Sequence, residues 1–115
     1  MLGSVRYPVT PDGRYFVAKN RLWRCTDPNL SEDWRESLMS DLGKARALVK
    51  NTRGDTDGLA AARRKVHTAK IGLGERGPVW WTDGALDQTG KAPNNSTYSD
   101  WWAAHDNTKS ITIAN

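Results

Sequence analysis

The chain is poor in most residues that build or betray a chemical site. It holds one cysteine, Cys25, so no disulfide can close within it, and a reducing compartment is expected. Two histidines are present, His67 and His105. A zinc site would need Cys25 and scattered acids beside them, at no recognised spacing. No run approaches the ~18 apolar residues of a membrane span. Residues 1–7 carry no apolar stretch of the kind that directs export. Membrane association is therefore not expected, and the cytoplasm is the expected location.

Aliphatic residues are scarce as well. Leu, Ile, Val and Phe together number 19 of 115, below the roughly 20% at which disorder becomes the default. Two features oppose disorder: a net charge of only +4 and six tryptophans. Each tryptophan brings on the order of 150–250 Å² of buriable surface. The expectation is a single globular domain over residues 1–105 whose core leans on aromatics, followed by a flexible tail at 106–115.

The basic surplus is spread out. Residues 1–30 carry five basic and two acidic side chains, whereas residues from Pro78 onward carry two basic and four acidic. The densest positive charge therefore lies near the N-terminus, and it suits an anionic partner.

Pro11-Asp12-Gly13 is a turn signal, because proline presets φ and glycine tolerates a positive value. Extended segments flank it. Residues Val5 to Val9 come before, with Pro8 confining them to an edge, and Arg14 to Ala18 follow. Lys19-Asn20 then fits a two-residue hairpin turn before Arg21 to Cys25. That turn predicts a register: Val17 opposite Leu22 and Tyr15 opposite Arg24 on one face, Phe16 opposite Trp23 and Arg14 opposite Cys25 on the other. Both faces carry aromatic or apolar residues, so one is either covered or left open.

Two helices are predicted next. The first runs from Ser31, a good N-cap, to about Lys50, with Trp34, Leu38, Leu42, Ala45 and Val49 at helical spacing. The second runs from about Thr56 to Leu73, with Gly74 as its stop. The short loop between them implies an antiparallel pair. Val79 to Trp81 reads as a short strand, Ala85 to Ser96 as a polar loop, and Asp100 to about His105 as a short helix capped by Thr97. The fold class is thus α+β. A small N-terminal antiparallel sheet is expected to pack on a helical hairpin, with a short C-terminal strand and helix.

Catalysis finds little support. Gly72-Leu73-Gly74 ends a helical pattern, whereas a phosphate-binding glycine loop starts one. Asp83 and Asp87 lie in a turn-rich segment where aspartate bonds to backbone. Cys25 fits a small packed hydrophobe better than a reactive thiol. No catalytic residue, cofactor or metal is assigned.

Two binding surfaces remain. In the first, surplus tryptophan and phenylalanine (Phe16, Trp23, Trp81 and Trp102) serve as anchors for another protein, since buried aromatics dominate interface energetics. In the second, Arg14, Lys19, Arg21 and Arg24 on the aromatic hairpin, with Arg63 and Arg64 on the second helix, contact nucleic acid through phosphates and stacked bases. Each has a plainer counterpart. Phe16 and Trp23 can be an ordinary cross-strand pair, and Arg63-Arg64-Lys65 can be balanced by Glu32, Asp33 and Glu36 of the partner helix. The oligomeric state stays open.

The run Arg6-Tyr7-Pro8-Val9-Thr10-Pro11-Asp12-Gly13-Arg14-Tyr15-Phe16-Val17, followed by Arg21-Leu22-Trp23-Arg24, resembles a family of short bacterial proteins of uncharacterised function. The later block Leu73-Gly74-Glu75-Arg76-Gly77-Pro78-Val79-Trp80-Trp81, with Asp83-Gly84, is similar to the same family. Its members are sometimes labelled Tol biopolymer transporters. The resemblance spans roughly Arg6 to Trp102, with Asn20 standing where the family usually has glycine. It implies no activity, ligand or site residue.

Overall fold

Lys19 and Asn20 decide the N-terminal architecture. In the computed structural model, which describes residues 7–105, both take a left-handed backbone, with φ of 54° and 60°. Positive φ at both central positions defines the turn whose twist matches paired strands. It joins β1 (Tyr15–Ala18) to β2 (Arg21–Arg24) in a two-stranded antiparallel sheet. The register pairs Tyr15 with Arg24, Phe16 with Trp23 and Val17 with Leu22, as the turn predicts. Cys25 extends the pairing by donating its N–H to the Arg14 carbonyl.

Neither edge of this sheet is bare. Along β1, Val17 donates to the Pro8 carbonyl and Thr10 donates to that of Tyr15, while Val9 bridges to Phe16. Pro8 has no N–H to offer, and only its acceptor is used. Along β2, Leu22 donates to the Lys91 carbonyl at 2.9 Å and accepts from the Gly90 N–H at 2.8 Å. The 85–96 loop therefore serves as a strand-like cover for β2. Val5, Arg6 and the expected tail at 106–115 lie outside the described residues.

The described chain divides into two compact units. The sheet unit comprises residues up to Cys25 and from Leu86 onward, and the helix unit comprises Thr26–Ala85. In the sheet unit, Tyr15, Val17 and Leu22 bury one face of the hairpin. A 3-10 turn at Pro93–Asn95 lies near the end of the covering loop, and residues 99–105 form a further helix, α3. Gln88 clamps the approach to α3: its side chain accepts from the Thr97 N–H and donates to the Thr97 hydroxyl.

In the helix unit, α1 (Glu32–Asn51) and α2 (Thr56–Gly72) are joined by four residues. Ser31 caps α1 by accepting from the Trp34 N–H, and Asp55 caps α2 by accepting from that of Gly58. Such caps satisfy N–H groups that the helix cannot, each worth about 1 kcal/mol. Leu38, Leu42, Ala69 and Leu73 form the buried core between the helices, with Leu30, Met39 and Val66 against it. Gly72 lies against the Leu38 side chain, so the end of α2 meets the first third of α1 and the pair is antiparallel.

The end of α2 is a complete Schellman motif. Glu75 donates to the Lys70 carbonyl and Gly74 to that of Ile71, with Gly74 at φ of 80°. Only glycine adopts that backbone without strain. Space imposes the same choice, since a Cβ there would fall 2.9 Å from the Asp27 Cβ and 3.0 Å from the Trp80 ring.

One expected element is missing. Residues 79–81 form no strand. The Trp81 indole donates to the Ala85 carbonyl at 2.8 Å, and the Asp83 carboxylate accepts from the Ala85 N–H. The segment closes on itself within a few residues, which leaves no extended edge for pairing. The fold is α+β.

Candidate functional site

The sheet has one buried face and one open one. Side chains alternate across a strand, and Tyr15, Val17, Leu22 and Arg24 take the buried side. Phe16 and Trp23 take the other. Trp23 is 40% exposed, and Tyr7 and Val9 are 48% and 49% exposed. The Tyr7 ring stacks on Phe16 with centroids 5.4 Å apart, and Val9 lies opposite Phe16. Four apolar side chains thus adjoin across three extended segments. The Trp23 indole N–H donates to the Ala18 carbonyl at 2.9 Å, which satisfies its polar atom and fixes the ring along the sheet.

Basic residues rim this face. Arg14 stands two residues before Phe16, on the same side, with its Nε 3.9 Å from the Asp12 carboxylate. Arg21 stands two before Trp23 and donates to the Gly90 carbonyl at 2.8 Å. Lys19 sits exposed at the turn. Tyr98 and Thr10 both donate hydroxyl bonds to Asp12. Burial pushes the Asp12 carboxyl up, but the bonds from Tyr98, Thr10 and the Arg14 N–H outweigh it and leave the pKa below the usual range. Burial and that same Asp12 contact push the Tyr98 hydroxyl up.

Arg24 does not belong to this surface. It is 4% exposed on the opposite face, where its guanidinium meets Asp87 at 3.1 Å. Period-two alternation sends it inward with Leu22, so it offers no phosphate contact. Around it lies a polar clasp: the Tyr15 hydroxyl accepts from the Gln88 N–H at 2.8 Å and donates to Asp87. Burial raises the Tyr15 pKa. Burial also pushes Asp87 up, but bonds from Thr89, the Arg24 charge and Tyr15 bring it below its ordinary value. Both shifts lead away from neutrality, and the clasp holds the 85–96 loop to the strands.

Trp81 is likewise not an exposed anchor. It belongs to the helix unit, is 8% exposed and packs edge-on against Trp80 at 5.1 Å. Trp102, half-buried on α3, stacks on His105 at 5.5 Å. Of the four proposed protein anchors, only Phe16 and Trp23 are brought side by side. Tyr7 and Val9 join them although the sequence reading gave them no role. Their period-two spacing on the segment before the turn is the signal that finds them.

Arg63 and Arg64 lie on different sides of α2. Arg64 lines one interhelical groove with Asp41, Lys44 and Lys65, and Arg63 lines another with Arg46 and Arg76. The acids expected to balance them do not face them. An antiparallel pair sets Glu32, Asp33 and Glu36 beside the far end of α2 and the basic half of α1 beside Arg63 to Lys65.

Among the described residues, no group of three or more His, Cys, Asp or Glu side chains could hold a metal ion. No described helix is long and apolar enough to cross a membrane. Fold and surface define a small α+β protein with an open aromatic sheet face and a basic helical hairpin. No family model, curated protein or solved structure matches the chain.

Proposed function

We propose that this protein is a non-catalytic interaction module that binds another protein through the open face of its hairpin. The observation that carries this reading is the run of adjoining apolar side chains in which exposed Tyr7, Val9 and Trp23 surround half-buried Phe16. Contiguous exposed apolar surface with a polar rim marks a binding site more often than chance exposure does. Lys19 and Arg21 at the rim favour a partner segment that pairs apolar side chains with carboxylates. A single cysteine suits a reducing compartment, and the reading places the module in the cytoplasm.

Nucleic acid is the competing occupant, since the same rings and arginines could stack on bases and contact phosphates. Two contacts favour protein instead. One side of the Phe16 ring is taken by Tyr7, and Arg14 is drawn to Asp12.

Tagged wild-type protein and a Phe16→Ser/Trp23→Ser variant are used to capture partners from lysate, with and without nuclease. The expected result is one protein retained by the wild type in both halves and lost by the variant, while the variant still folds and melts cooperatively. Capture that disappears with nuclease, or persists in the variant, overturns the proposal.

A further inference from the structure

The mid-chain charge is balanced locally only in part, by Asp41 beside Lys44, Arg64 and Lys65. Residues 44–65 carry seven basic side chains and two acidic ones, Asp55 and Asp57. Both acids stand at the start of α2, and Asp55 is occupied as its cap. Basic residues late in α1 complement its dipole. Arg63, Arg64 and Lys65 sit at the middle of α2 (Thr56–Gly72), where the dipole offers nothing.

On one side of the helix pair these charges converge. A groove of about 370 Å³ is lined by Arg46 and Val49 of α1, Arg63 and Val66 of α2, and Arg76. No carboxylate is among its lining residues. Val49 and Val66 are half-buried and form an apolar floor beneath three guanidinium groups. Arg76 reaches the groove because the Schellman turn at Gly74 reverses the chain. Its Nη1 then bonds the Nδ1 of His67 at 3.2 Å. A guanidinium only donates, so the contact directs one of the Arg76 N–H groups at the His67 ring.

Lys70 lies near these charges, outside the groove's lining. Half-burial, with the Arg76 and Arg46 charges nearby, holds its ammonium pKa below the ordinary lysine value. Among the described residues the acid acting on it is Glu75, whose carboxylate accepts from the Thr26 hydroxyl at 2.7 Å. Like charges held over an apolar floor raise the free energy of the empty groove. A multivalent oxyanion would relieve that repulsion, and guanidinium forks match phosphate oxygens in pairs.

From this convergence we infer that the groove between α1 and α2, bordered by Arg46, Arg63 and Arg76, is a binding site for phosphate groups. The site lies in the helix unit and stands independently of the hairpin face. Phosphate can arrive on a small phosphorylated compound or on a nucleic-acid backbone, and the two sources separate experimentally.

Inorganic pyrophosphate and a short single-stranded oligonucleotide are titrated calorimetrically into three proteins. These are the wild type, Arg46→Gln/Arg63→Gln, and the charge-matched control Lys50→Gln/Arg53→Gln. The groove variant is expected to bind about tenfold more weakly or worse, with the control close to wild type. Loss in the pyrophosphate arm assigns a small phosphorylated ligand, and loss in the oligonucleotide arm alone assigns a nucleic-acid backbone. Binding of neither probe, or equal weakening in groove variant and control, overturns the site. A second readout needs no variant: saturating pyrophosphate should raise the Lys70 ammonium pKa measured by NMR, and an unchanged value refutes the inference.

Discussion

The two units of this chain are held together in opposite ways. The helix unit is mostly local, with the bond from Thr26 to Glu75 across 49 positions as an exception. Its caps act over three residues, its core repeats at helical spacing, and its stop motif closes over six residues. The sheet unit is distant. Arg24 meets Asp87 across 63 positions, Tyr15 binds Gln88 across 73, and Tyr98 binds Asp12 across 86. A small hairpin cannot bury enough to stand alone, so it recruits a far segment through polar bonds and one buried tyrosine.

That contrast can be broken most directly at Gly74. Gly74→Ala combines a strained positive φ with a Cβ that has no room, and should cost about 3 kcal/mol. Hydrogen exchange should quicken first in the Thr26–Ala85 amides; equal quickening in both units would erase the distinction drawn here. Next in size is Tyr15→Phe. It removes the acceptor of the Gln88 N–H and leaves a buried donor unmet, worth about 2 kcal/mol. Chemical denaturation should show this loss in sheet-unit signals, and a neutral result would demote the clasp.

Acid gives the mildest test. The Asp12 and Asp87 carboxyls, both in the sheet unit, have folded pKa values below their ordinary ones. Their ionised forms therefore stabilise the fold above the usual carboxylate range, about pH 4. That contribution fades as pH falls through the folded values. Tyr15 and Tyr98 ring signals followed from neutral to strongly acid pH should report the loss, and a pH-independent sheet unit would contradict it.

The same contrast explains what could be read from sequence. Ser31, Lys19-Asn20 and Gly74 each act on their immediate neighbours, and the hairpin register and both helices were legible from them. Arg24 misleads, because a charged residue next to Trp23 suggests surface until Asp87 supplies its partner from far along the chain. Trp81 misleads for a related reason: a strand reading splits Trp80 and Trp81 between two faces, but the segment bends and buries Trp81. The balance expected from Glu32, Asp33 and Glu36 failed on register, since the short loop already set the Arg63 to Lys65 stretch against Asp41, Lys44 and Arg46.

One consequence follows from the bond between Leu22 and Lys91. A growing polypeptide exposes β2 long before the segment that covers it has been made. At roughly 5–20 residues per second, the interval is on the order of 3–14 s. During that time the helix unit can complete itself, while the outer edge of β2 offers an open N–H and carbonyl to any neighbouring strand. On a polysome, where nascent copies crowd together, this edge is the place where misassembly would begin, and a slow stretch of translation before Leu86 would lengthen the risk.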